Sequence, residues 1–433
     1  MQEAQNGVGE LAGVKDLVSE RFGTPQKLNA WTKLPVDFGG VSGTVSATPD
    51  ASIAVKELAL EFDSEVLPSE SEPLLVQFIT GAAAPGVVAI ENWSAENGIA
   101  SLTAAMETPP AAGDTIVLNG GGHLKAGRQL YMRHCSHCHG TSGDGQGPTA
   151  EYLNPRPRDY RHGVFKFTST TAQEKASRED IHRVLRNGIP GTYMPSFVPM
   201  LDETELSIVV EYVRFLTMRG EFERRLVSEF AVDYSQDAVA NRRADGEDRS
   251  EIVDQLKEFL SSDINDSLEI VSDDLTKAWA QADTPEAMIV PDSSRVEDTA
   301  ESRRIGRELY LSSAINCADC HGISGKGNGP QSTIFEKNPD TQQLYTEPGL
   351  HDVWDDLNPP RNLTGGIYRG GRRPIDLFCR IHAGIKGSRM PSFKNLKHED
   401  IWHIVNYVLS IPFEPEPGHG PTPAAAPAVA TIP

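Results

Sequence analysis

The pentapeptide Cys135-Ser136-His137-Cys138-His139 constrains this chain more than any other stretch. Two cysteines three apart, followed at once by histidine, form the attachment site of a covalent haem. The two thiols add across the porphyrin vinyl groups as thioethers, and the trailing histidine is then held under the iron as its ligand. The motif recurs as Cys317-Ala318-Asp319-Cys320-His321, 182 positions further on, and the two copies use four of the five cysteines. Shuffling this composition would produce one such pentapeptide in roughly one chain in a thousand, so chance does not explain two. A zinc site would need further Cys or His beside each pair, and a thioredoxin-type redox pair does not call for the histidine. The reading is two covalently attached haem c groups, held by Cys135, Cys138, Cys317 and Cys320, with His139 and His321 as iron ligands.

The surroundings of the motifs repeat as well. Gly127-Arg128-Gln129-Leu130-Tyr131-Met132 answers Gly306-Arg307-Glu308-Leu309-Tyr310-Leu311, each opening a predicted helix that leads into a haem motif. Gly143 to Pro148 answers Gly325 to Pro330, Pro157-Arg158-Asp159 answers Pro360-Arg361-Asn362, and Gly188 to Phe197 answers Gly384 to Phe393. Each copy closes on an amphipathic helix, through Leu206, Val209, Val210, Val213 and Leu216 in the first and Ile401, Ile404, Val405 and Val408 in the second. The shared Met-Pro-Ser-Phe supplies a sixth ligand: Met194 stands 59 positions after Cys135, and Met390 stands 73 after Cys317. A lone methionine is usually a core filler. Two at equivalent positions of a repeat, each in a Gly/Pro-bounded loop, read as thioether ligands, which favour Fe(II) and raise the reduction potential. The longer second interval contains Asn338 to Trp354, a segment able to cover a haem edge or meet a partner.

From about His123 to Met218, and again from about Arg303 to Ile411, the chain resembles tandem class I cytochrome c domains, small helical folds wrapped around one haem. The resemblance implies that Gly127 with Tyr131, and Gly306 with Tyr310, pack the first helix of each domain against the last, facing Tyr212 and Tyr407. It also implies a proline after the haem motif whose carbonyl orients the proximal histidine, a place that Pro148 and Pro330 fit. Arg158 and Arg361 match the family's arginine beside a haem propionate, although a surface role fits them equally. Cys379 aligns with Arg183 at an offset of 196 and reads as a small buried hydrophobe. His162, His182, His351 and His382 are spare imidazoles, of which His182 and His382, on the helix before each methionine loop, read as surface or packing residues rather than ligands.

The expected fold is mainly α: two cytochrome c-like helical haem domains in tandem, preceded by a small all-β module and separated by an acidic helical linker. An N-terminal arm, 1–27, carries a short amphipathic helix (Leu11, Val14, Leu17, Val18) that ends at Phe22-Gly23-Thr24-Pro25 and serves as a leader or docking arm. Residues 28–119 hold short apolar runs at Ser52 to Val55, Leu58 to Phe62, Leu74 to Ile79, Val87 to Ile90 and Thr115 to Leu118, spaced by turn residues as in a small sandwich. The haem domains span 120–220 and 301–413. Between them, 221–300 reads as a solvated acidic connector, open to disorder near Arg242 to Arg249, and 414–433 as a low-complexity tail.

A formal charge of −21 argues against nucleic acid and anionic membrane surfaces as partners and favours a basic redox protein. Thioether attachment needs reduced thiols and a dedicated assembly system, which places the protein in the periplasm or another extracytoplasmic space. Met1 to Thr24 lacks the apolar core of a secretion signal, so a signal or anchor is expected outside the numbered chain. The most apolar run, Leu74 to Ile90, is broken by Gln77, Thr80, Gly81, Pro85 and Gly86, so no direct membrane span is expected. The function expected is single-electron transfer between redox partner proteins, a membrane respiratory complex among them, with no catalytic residue assigned. The alternatives are a peroxidase-like dihaem enzyme, or an electron-carrying subunit of an oxidase or dehydrogenase complex.

Overall fold

The computed structural model describes residues 12–24, 27–50, 55–62, 74–84, 86–94, 96–261 and 264–414. Leu11 of the predicted first helix, Ser52 to Ala54 of one predicted strand and the tail from 415 lie outside them. The chain divides into two compact units. Unit 1 comprises Met1–Ala150, Arg158–Gly163 and Val198–Ala280; unit 2 comprises Glu151–Pro157, Val164–Phe197 and Gln281–Pro433.

Unit 1 opens with α1 (Ala12–Phe22), whose Val14, Val18 and Phe22 recur at i, i+4 and i+8 and are all buried. Phe22 lies 5.5 Å from both Phe215 and Phe222 of α5 (Glu203–Tyr234). The predicted arm is therefore docked on its own chain. The β module follows as β1 (Val41–Ala47), β2 (Val55–Phe62), β3 (Leu74–Phe78), β4 (Val87–Ser94), β5 (Ile99–Met106) and β6 (Thr115–Leu118). These strands close into an antiparallel barrel in the order β1-β2-β5-β4-β3-β6 rather than a sandwich. Closure comes from β6, which pairs with β1 through Val41 and Leu118 and with β3 through Val76 and Leu118. The strands β1 and β5 escaped the sequence reading because Ser, Thr, Gly and Ala dilute their apolar alternation. Inward residues such as Leu58, Leu60, Val76, Phe78 and Ile116 fill the barrel, while Glu57 and Glu61 alternate outward on β2.

The first haem motif follows α2 (Gly122–His134) and occupies the single turn α3 (Ser136–His139). A capping box between Asp202 and Glu205 starts α5, which then runs 32 residues without a break. The boundary drawn at 220 falls inside it, because Phe222, Leu226, Val227 and Phe230 continue the buried stripe. Next come α6 (Gln236–Ala244), α7 (Arg249–Ser261) and α8 (Ile264–Gln281). Residues 242–249 contain a helix end at which Arg242 bonds Glu247 through both carboxylate oxygens.

The solvated-linker reading fails at α8. Its Leu268, Val271, Leu275 and Trp279 are buried, and the Trp279 indole donates to Glu221 at 3.0 Å. The fully buried Arg214 guanidinium lies 5.2 Å from the centre of the same ring. Acidic composition on the outer face concealed an apolar stripe that packs like any other helix.

Unit 2 contains α4 (Arg178–Asn187), α9 (Ala300–Leu311), the haem-motif turn α10 (Cys317–His321), α11 (Pro374–Ala383) and α12 (His398–Ser410). Segment Val164–Phe197 belongs here through its partners. Ile289 N donates to Ser169 O at 2.9 Å, Arg178 pairs with Asp283, and Lys386 Nζ donates to Thr170 Oγ1 at 2.8 Å. The last part of the predicted linker is tied down as well: Trp402 Nε1 donates to Ser293 O at 3.2 Å, and Asn406 Nδ2 to Val296 O at 3.1 Å.

Both first-helix and last-helix crossings are as expected. A Cβ on Gly127 would stand 2.7 Å from Tyr212 Cβ, and one on Gly306 would stand 2.0 Å from His403 O. Glycine is what allows these helices to touch. The Tyr131–Tyr212 and Tyr310–Tyr407 ring pairs each sit 5.3 Å apart beside the crossing.

Candidate haem sites

In the first motif, Cys138 N and His139 N both donate to Cys135 O, at 3.1 and 2.9 Å, so one helical turn brings positions i, i+3 and i+4 to one face. Gly140, at φ +74°, ends the turn in a conformation that a side chain would strain. Tyr131 fastens it to the preceding helix by donating its hydroxyl to Gly140 O at 2.9 Å, and Tyr310 does the same to Gly322 O at 2.8 Å. None of the five cysteines is paired in a disulfide. Burial pushes the Cys135 and Cys317 thiols up to about 12. Among the described residues, no group of three or more His, Cys, Asp or Glu side chains could hold a metal ion, so neither pair has the further ligands that zinc would need.

The two proximal histidines are held alike. His139 Nδ1 lies 3.1 Å from Arg158 O, and His321 Nδ1 lies 3.1 Å from Arg361 O. A carbonyl only accepts, so Nδ1 carries the proton and the lone pair is on Nε2, the tautomer an iron ligand needs. The resemblance assigned this carbonyl to Pro148 and Pro330; the structure gives it to Arg158 and Arg361. Pro148 and Pro330 instead follow Gly147 and Gly329, whose close approach to the motif helix leaves no room for a Cβ: it would stand 2.3 Å from His137 O or 2.2 Å from Asp319 O. Burial lowers the His139 pKa to about 4, with the Arg158 carbonyl partly opposing, and lowers that of His321 too, so both rings are neutral at pH 7. Thiols and neutral, oriented imidazoles on one turn fit covalent haem at both motifs.

Tyr160 was not singled out by the sequence. Its ring stacks on His139 with centroids 4.7 Å apart, and its N donates to Gly143 O at 2.7 Å. In the second copy Leu363 takes the matching place, donating N to Gly325 O at 2.7 Å. The Pro-Arg repeat could have revealed the pair, since Tyr160 and Leu363 stand at the same offset from it.

The two methionine loops also share one internal design, and both lie in unit 2. Thr192 Oγ1 donates to Ile189 O at 2.8 Å and accepts from Met194 N at 3.1 Å. Ser388 Oγ donates to Ile385 O at 2.7 Å and accepts from Met390 N at 3.2 Å. A Ser-to-helix bond closes each loop, from Ser196 Oγ to Arg186 O at 2.5 Å and from Ser392 Oγ to His382 O at 2.8 Å. Met390 is half-buried against the second haem domain's core. Cys135, Cys138, His139 and Arg158 lie in unit 1, and Cys317, Cys320, His321, Arg361 and Met390 in unit 2. Arg361 Nε donates to Ile367 O at 2.9 Å.

Two of the spare imidazoles pack on rings: His351 stacks on Tyr345 at 3.6 Å, and His382 lies 6.0 Å from Phe378 and 5.3 Å from His398. Burial lowers the His162 pKa to about 4, with Arg224 adding to the effect. Cys379 is buried, as expected.

Comparison with known proteins agrees with this geometry. The family of cbb3-type cytochrome c oxidase subunit III matches residues 122–213, and the cytochrome c family matches residues 304–412. No curated protein matches the chain. Among solved structures, a chain of the reducing HAO-like protein complex of Kuenenia stuttgartiensis is similar, with 22% identity, 66% of this chain and 96% of that chain covered, and a TM-score of 0.45. No helix among the described residues is long and apolar enough to cross a membrane. The repeated motif, the repeated carbonyl-held histidine and the two family matches together establish that this chain carries two cytochrome c-type domains in tandem.

Proposed function

We propose that the chain is an extracytoplasmic dihaem cytochrome that passes single electrons between redox partner proteins. The observation that carries this reading is the duplicated design: a neutral histidine with Nδ1 held by a carbonyl, and a methionine loop braced by a hydroxyl, in each copy. His139 with Met194, and His321 with Met390, are the proposed axial pairs, with the thioethers at Cys135, Cys138, Cys317 and Cys320. When bound, each haem supplies an iron that gains or loses one electron between Fe(III) and Fe(II). The residues of the chain hold the imidazole in the ligating tautomer, offer a soft sulfur ligand and keep water from the proximal side. Arg158 and Arg361 are proposed to face propionates. Two filled axial positions favour electron transfer over peroxidase chemistry, which needs an open one. The match of the first domain to a subunit of an oxidase supports a place as the electron-carrying subunit of a respiratory complex.

The test is a redox titration of the purified protein with haem quantified by alkaline pyridine treatment. Two haems per chain, low-spin in both states, with a ferric sulfur-to-iron charge-transfer band of two-site strength, are expected. One high-spin haem, or one that binds added ligands when reduced, would overturn the two-carrier reading in favour of a dihaem enzyme.

A further inference from the structure

The second haem domain carries 14 more residues between its motif and its methionine than the first, as the intervals of 73 and 59 show. The extra length falls between Pro330 and Pro360, where residues 334–357 form a strap that folds on itself. Isolated bridges join Lys337 to Leu344 and His351 to Leu357, and the Tyr345 hydroxyl donates to Asp355 Oδ1 at 2.6 Å. Its base is fixed by an ion pair of 2.7 Å between Lys166 and Asp352, whose side chains are both nearly buried.

The strap then touches the Met390 loop at three points. Glu336 pairs with Arg389, the neighbour of Met390, at 3.1 Å, while its other oxygen accepts from His351 N at 2.8 Å. Val353 N donates to Gly387 O at 3.0 Å. The Trp354 indole lies so close to Gly387 that a Cβ there would stand 2.7 Å from it. The Met194 loop has an uncharged, exposed Tyr193 in place of Arg389, and so no counterpart of this ion pair.

We propose that the strap is a clamp on the Met390 loop, in which Glu336 and Trp354 are positioning residues that keep the methionine on the second iron. This rests on the His/Met reading above. A ligand loop that can swing out surrenders its sulfur to competing ligands; bonds from the strap to residues 387 and 389, both just before the methionine, oppose that swing. The clamp makes the two haems unequal, with the first releasing methionine more readily than the second.

The experiment is an imidazole titration of the full-length, haem-loaded ferric protein, followed through loss of the sulfur-to-iron band. The phase missing in Met390→Ala, or the phase remaining in Met194→Ala if the former does not assemble, belongs to the second haem. In the wild type that phase is expected at the higher imidazole concentration. Glu336→Gln should lower its midpoint about fivefold, the weight of a partly exposed ion pair, and leave the first phase in place. Arg389→Gln should do the same, and the double variant no more than either alone, because both remove one interaction. Trp354→Phe, which spares the ion pair, should give a smaller shift in the same phase. A second phase unmoved by Glu336→Gln, both phases moving together, or an additive double variant would overturn the clamp. Absence of any second-haem sulfur band in the wild type would instead overturn the ligand reading itself.

Discussion

Replacing Gly306 by alanine tests the helix crossing on which the second haem domain is built. The added Cβ would stand 2.0 Å from His403 O, 2.6 Å from His403 C and 2.8 Å from Tyr407 Cβ. Two of these atoms are backbone of α12, so no rotamer change relieves the clash, and the helices must separate by more than about 1 Å to restore van der Waals distance. Separation also pulls apart the Tyr310 and Tyr407 rings, 5.3 Å apart in the native packing. Overpacking of this kind costs about 1–3 kcal/mol or more. Alanine recovers about 1 kcal/mol through its better helix propensity. With a backbone oxygen at 2.0 Å the upper end of the overpacking range, about 3 kcal/mol, applies, and the expected net loss is about 2 kcal/mol. Gly127→Ala meets Tyr212 Cβ at 2.7 Å and Ile208 O at 2.9 Å, a milder clash, and should cost about half as much. Gly122→Ala, with no atom within 4 Å of the new Cβ, should be neutral or slightly stabilising. Denaturant titrations of the haem-loaded variants, followed by haem absorbance and far-ultraviolet circular dichroism, give the order. A Gly306→Ala protein as stable as the wild type, or more stable than Gly127→Ala, would refute the close-packing account.

Three further outcomes are expected. Trp279→Ala should destabilise unit 1 by about 3–5 kcal/mol, since it empties a fully buried site and removes the donor to Glu221; a loss under about 1 kcal/mol would return α8 to a solvated connector. Burial pushes the Cys379 thiol up to about 11, so at pH 8 only about one molecule in a thousand carries the thiolate. With the other four cysteines in the proposed thioethers, alkylation should run about a hundredfold slower than for an exposed thiol until the protein is unfolded, and fast labelling of the native state would contradict the burial. Burial lowers the Lys386 pKa to about 8 from the ordinary lysine value of 10.5, so above pH 8 the unfolded state binds the extra proton. Stability relative to Lys386→Met should therefore rise between about pH 8 and 10.5, by on the order of 2–3 kcal/mol, and a flat difference across that window would show that the amine is not desolvated.

The haem-binding turns and the repeat were legible because each depends on local chemistry. A helical turn presents residues i, i+3 and i+4 together, so Cys135, Cys138 and His139 announce their geometry without reference to anything distant. The repeat register paired Gly127 with Gly306, and the family resemblance supplied their place at the helix crossing. The acidic stretch misled for a physical reason: composition reports what faces water, and the stripe Leu268, Val271, Leu275 and Trp279 is a minority of α8. The barrel was hidden because its closure depends on which strand β6 pairs with, and a run of Thr-Ile-Val-Leu carries no label for its neighbours.

What the amino-acid order determined by itself is therefore the cofactor chemistry, since covalent attachment and the proximal ligand need only five consecutive residues. The tertiary structure alone decided which carbonyl holds each imidazole, because Arg158 lies 19 and Arg361 40 positions from its histidine, and the sequence offered Pro148 and Pro330 as nearer candidates. It also decided that Tyr160 stacks on the first histidine, and that Glu336 pairs with Arg389 beside Met390. These are contacts between segments far apart in the chain, and their existence depends on how the intervening backbone packs rather than on any residue's own preference.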